Sequence, residues 1–139
     1  MNWYAAHLIL YVRFKEPPQE HFPVWENIVL IAAESADEAG AKAELRGHED
    51  EGDSDGSFTW GGRPSTWVFA GVRKLMKCDP IWERPGDGTE VSFTEMELPS
   101  MDAVLRLAEG RDVLVQLEDE RPTSEQELDA PEPAPAAVK

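Results

Sequence analysis

"VWENIVLIAAESADEAGAKAELRG", from Val24 to Gly47, carries a strand straight into a helix and decides the fold. Ile28, Leu30 and Ala32 alternate with Asn27, Val29 and Ile31, so Trp25 to Ala33 reads as a strand of period two. Both of its faces are largely apolar, which predicts a central place in a sheet. Ser35 and Glu38 then have capping-box spacing: the serine accepts from the Glu38 amide while the glutamate reaches back. The helix is expected to run to about Arg46 and to stop at Gly47 in the C′ position. Its inner stripe of Ala36, Ala39, Gly40 and Ala43 is small, which allows close approach to a sheet but supplies little apolar area.

Upstream, Tyr4, Ala6, Leu8, Leu10, Val12 and Phe14 form one wholly apolar face of a first strand. Trp3, His7, Tyr11 and Arg13 lie on the other, mixed face. "KEPPQEHFP" ends it, because its prolines cannot continue a hydrogen-bonded ladder. Downstream, "STWVFAGVRKLMKC" predicts a third strand with a bulge or close contact at Gly71. The turn "RPGDG" (Arg84 to Gly88) leads into "TEVSFTEMEL" as a fourth strand. Ser100 is expected to cap a short helix with Met101, Val104, Leu105 and Ala108 on one face, stopped at Gly110. "DVLVQL", Asp112 to Leu117, closes the set as a fifth strand. The order β-β-α-β-β-α-β predicts an α+β fold, a mostly antiparallel five-stranded sheet with two helices packed on one face.

Residues 1–117 are expected to form one domain. From Glu118 to Lys139 the chain is rich in acids and prolines and almost free of large apolar side chains, the composition of a disordered tail. The single cysteine, Cys78, excludes an intramolecular disulfide framework. With an N-terminus that lacks a basic n-region, it predicts a reducing cytoplasm. The formal charge of −15 repels nucleic-acid backbones and anionic lipid, and favours encounter with a basic protein.

"WYAAHLILYV", "WENIVLIAAESADEAGAKAE", "TWVFAGVRKL" and "DGTEVSF" occur together and in this order. That combination resembles a small bacterial family, domain of unknown function 4288. The likeness rests on Trp3 and Tyr4, Ala33 to Ser35, Trp67, Phe69, Gly71 and Val72, and Gly88 to Val91. It implies a compact bacterial domain and brings no activity with it.

The chemistry-bearing motifs are few. "HEDEGDSDGSFTWGG", His48 to Gly62, sets Glu51, Asp53, Asp55 and Gly56 at positions 1, 3, 5 and 6 of a calcium loop. Position 12 falls on Gly62 and Pro64 follows, so the bidentate carboxylate and the exiting helix are both lost, and no metal site is assigned. His7, His21, His48 and Cys78 lack metal-ligand spacing. Nothing in the sequence positions a base beside Cys78, "WGGRPS" is not a phosphate loop, and no catalytic residue or cofactor is assigned. Five tryptophans remain, of which Trp60 and Trp82 lie in turn-rich links.

Apolar anchors with a charged rim suit a protein interface. The expected site is therefore Asp50, Glu51, Asp53, Asp55, Trp60 and Trp82. The expected function is a non-enzymatic interaction domain whose acidic surface binds a basic protein, in one version an immunity protein neutralising a bacterial toxin. Two rivals stand beside it: a homo-oligomeric module joined through a strand edge, and a small enzyme with an unrecognised cleft.

Overall fold

The computed structural model describes residues 1–118, so the tail, Glu118 apart, lies outside the described residues. Its elements are β1 (Asn2–Phe14), β2 (Val24–Ala33), α1 (Ala36–Glu49), β3 (Thr59–Trp60), β4 (Arg63–Lys77), β5 (Met96–Glu97), α2 (Met101–Ala108) and β6 (Gln116–Leu117). The fold is α+β and every strand pair is antiparallel. The single five-stranded sheet expected from the sequence is replaced by two sheets. One has four strands in the order β2-β1-β4-β3, and the other is the small pair β5-β6.

The central strand is β1, not β2. A hairpin lays β2 along one side of β1, and the crossover through α1 brings β4 back along the other. This leaves β2 at the edge, with Trp25, Ile28 and Leu30 about half exposed. Its apolar alternation is genuine, but only Ile31 and Ala33 become buried.

On one face of β1, Tyr4, Ala6, Leu8 and Leu10 meet Ile31, Phe69, Val72, Leu75 and the inner stripe of α1. Ala36, Ala39 and Ala43 of that stripe are buried as expected. The cap forms too: Ser35 Oγ accepts from the Glu38 amide at 3.2 Å. Glu38 reaches one residue further back than the capping-box pattern, to the amide of Glu34 at 2.9 Å. Gly47 does not end the helix, which runs to Glu49 with Asp50 as its C-cap. The glycine serves contact instead, because a Cβ there would lie 2.3 Å from the Phe69 ring.

Downstream of β4 the sequence misleads. "TEVSFTEMEL" contributes one isolated bridge, Asp79 to Glu90, and the two residues of β5. Its alternating run is consumed in crossing the second face of the sheet, where buried His7 and Lys74 need polar partners. The expected fifth strand shrinks to β6, which pairs with β5. The second helix forms from Met101 with Ser100 as its cap, and buries Ala103 alone.

Candidate functional site

One end of the four-stranded sheet collects aromatic side chains. Trp67 of β4 is the hub, with Trp25 at 4.6 Å between ring centroids, Phe58 stacked at 5.6 Å and Trp60 edge-on at 6.2 Å. The register explains the gathering. Trp25 lies opposite Leu10, and Phe69, two residues from Trp67, lies on the other side of that same leucine. The hairpin of β3 with β4 then folds Trp60 back beside Arg63. Arg63 sits over the Phe14 ring at 3.9 Å and donates to the carbonyls of Glu16 and Pro18, which fixes the β1–β2 connection. Between that connection and Trp60 lies an open groove of about 650 Å³, walled by Phe14, Pro18, Phe22, Pro23 and Arg63.

The acidic stretch is attached to this hub. Gly52 and Trp67 exchange two backbone hydrogen bonds, Gly52 N to Trp67 O at 3.2 Å and Trp67 N to Gly52 O at 2.8 Å. Asp50 pairs with Arg46 at 3.1 Å. Glu51 accepts from the Phe69 amide at 2.8 Å and pairs with His48. Asp53 pairs with Lys15 at 2.6 Å and accepts from the Gly56 amide. The His48 and Phe69 hydrogen bonds hold Glu51 below its ordinary carboxylate range, and the Lys15 and Gly56 bonds do the same for Asp53. Both are ionised at neutral pH. Asp55 stands at the turn tip, with Ser54 and Asp55 both in the left-handed region. The stretch is therefore a folded acidic turn whose charge is partly offset by Lys15 and Arg46, rather than a bare negative tip.

Of the residues expected at the site, Asp50, Glu51, Asp53, Asp55 and Trp60 come together at this end. Trp82 does not. Ile81 accepts from the amide of Trp3 at the start of β1, whereas Trp60 pairs with Arg63 of β4, which sits over Phe14 at the end of β1. About eleven residues of strand separate the two, roughly 37 Å at the usual rise. Trp82 is 75 % exposed there and belongs to a different surface. Trp25 joins this cluster although it is not among the expected site residues. Its place on an edge strand is what leaves it half exposed.

A second set of polar residues lies beneath the crossing segment. Neutral His7 donates from Nδ1 to Glu26 at 2.9 Å and accepts from the Ser92 hydroxyl at Nε2, at 2.5 Å. Arg73 donates to the same Glu26 oxygen, and Lys74 donates to the carbonyl of Phe93. Strict alternation would place Arg73 and Lys74 on opposite faces. The register of β1 with β4 shifts between His7 and Leu8, and this irregularity lets both approach His7. Burial lowers the pKa of His7 against the pull of Glu26, and Lys74 lowers it further. Burial pushes Glu26 the other way, but hydrogen bonds from Arg73 and His7 outweigh it and hold the group ionised.

Ser92, His7 and Glu26 have the atom order of a nucleophile, base and orienting acid. A working relay also needs substrate space beside the serine and donors for an oxyanion. Here the imidazole has no exposed surface and the acid is shared with a guanidinium. The arrangement is suited to holding Ser92 down on the sheet. Cys78, buried at the end of β4, has its thiol pKa raised by that burial, which opposes thiolate chemistry.

The family model described as a domain of unknown function, DUF4288, matches residues 3–92 of this chain. The chain belongs to the DUF4288 family. The match takes in β1, β2, α1, β3, β4 and the crossing segment as far as Ser92. The aromatic hub, the acidic turn and the His7 network are therefore all parts of the DUF4288 region, while β5, α2 and β6 lie beyond it. No curated protein and no solved structure matches the chain.

Proposed function

We propose that this DUF4288 domain is a protein-binding module that meets a basic partner at the aromatic end of its sheet. The observation that carries the reading is the half-exposed Trp25 packed on Trp67, with an acidic turn stitched to the same tryptophan. Interface hot spots favour tryptophan in partly preformed pockets ringed by polar groups. Trp25 and Trp60 are the anchors and Asp55 the outermost charge of the rim. In the most specific version the partner is a cationic bacterial toxin, such as a nuclease whose basic active site is occluded, and the domain is its immunity protein. The formal charge of −15 favours such an encounter and disfavours nucleic acid itself.

A photo-crosslinking amino acid placed at position 60, and separately at position 82, tests this in the native cell. The expected result is a recurrent adduct with one basic protein from position 60 and none from position 82, since the two residues lie at opposite ends of β1. Equal adducts from both positions, or none from position 60, would refute the assignment of the site.

A further inference from the structure

The outer edge of β2 carries hydrogen-bonding groups that match a second copy of themselves. Pro23 O accepts from Val12 N, so the odd-numbered residues of this strand point their backbone groups inward to β1. The even-numbered residues therefore point outward, and Ala32 O, held by Lys42 Nζ at 2.6 Å, confirms the direction. Among the described residues, Val24, Glu26, Ile28 and Leu30 are left, each with an outward N–H and C=O and each exposed.

Native edges are usually guarded by lysine, proline or a bulge. Between Val24 and Leu30 the register with β1 is unbroken and the only charge is Glu26. Its carboxylate is turned to His7 and Arg73 and does not guard the edge. The opposite border of the sheet is different, because β3 and the Gly52 bridge cover part of β4.

We infer that two copies of this chain pair through β2 about a two-fold axis that passes beside Asn27, joining their sheets. In this register Val24 faces Leu30 of the partner subunit, and Glu26 faces Ile28 of the partner subunit. All four outward residues of each strand exchange backbone hydrogen bonds, and Val24 and Leu30 make apolar cross-strand pairs. Shifting toward the C-terminus would require the Ala32 carbonyl that Lys42 already holds. Shifting the other way would set Glu26 against its own copy. Only this register uses every outward group and avoids like charges.

Sedimentation of the whole chain, with designed variants, tests the pairing. The wild type is expected to sediment as a dimer at tens of micromolar. Ile28→Pro removes one outward N–H at an edge position where proline is compatible with the monomer. It is expected to keep its circular dichroism and to weaken the dimer about tenfold or more. Asn27→Cys places two thiols across a non-hydrogen-bonded pair, about 4.5 Å between Cα atoms, within disulfide reach. It is expected to form a disulfide-linked dimer under mild oxidation, while Val29→Cys is not. Cys78 is buried and does not compete. A monomeric wild type at several hundred micromolar, an Ile28→Pro dimer of unchanged affinity, or equal crosslinking from both cysteine variants would overturn the inference.

Discussion

His7 shows how a single strand position acquires a role that alternation alone does not give it. In the sequence it is one polar residue on a mixed face. In the fold Glu26, Arg73, Lys74 and Ser92 all converge on it, from three other parts of the chain. Two of those partners depend on events the sequence does not announce: the register shift that re-aims Arg73, and the crossing segment that delivers Ser92. The pH dependence follows from the direction of the shifts. Because the folded pKa of His7 lies below its ordinary 6.5, the unfolded chain takes up a proton that the folded chain refuses. Stability is therefore full above about pH 6.5 and falls as pH drops through the folded value. Glu26, lowered from 4.5, adds a further loss at more acidic pH. Urea-denaturation midpoints should decline between pH 7.5 and 5 for the wild type and decline less for His7→Gln. A flat wild-type profile over that range would contradict the assignment.

At the scale of elements, the strand-helix unit from Val24 to Gly47 was the most legible part of the chain. Its alternation, its cap at Ser35 and its alanine stripe are local properties, and each produced the element it announced. What local pattern could not supply was the position of β2, because edge or centre depends on which strand returns to β1. Gly47 was misread for a related reason. A glycine at a helix end is usually a stop signal, but this one lies where α1 crosses Phe69 and has no room for a side chain. Gly47→Ala is therefore expected to destabilise the domain by about 1–3 kcal/mol, the range for overpacking a core, even though alanine favours helices. Thermal or urea unfolding checks the sign: a stabilised variant would show that the Phe69 ring yields at no cost. The segment from Thr89 to Leu98 was read as a strand from its alternation, and the polar demands of the buried His7 and Lys74 explain why it crosses the sheet instead.

Over the whole molecule, the charge and the aromatic residues were legible but their arrangement was not. Five of the six expected site residues share one end of the sheet because Gly52 is stitched to Trp67 and because β3 turns back on β4. Trp82 is excluded by the length of β1. The edge of β2 and the aromatic end meet at Trp25, so the surfaces inferred for a second copy and for a basic partner are neighbours on one molecule. On the proposed function, the aromatic end anchors a basic protein and the acidic surface speeds its arrival. The direct measurement is the association and dissociation rates of the protein crosslinked from position 60, taken across ionic strength. The expected result is an association rate that falls steeply with salt and is reduced by Asp55→Asn, together with a dissociation rate raised about tenfold or more by Trp25→Ala. An association rate indifferent to salt, with dissociation unchanged in Trp25→Ala, would contradict it.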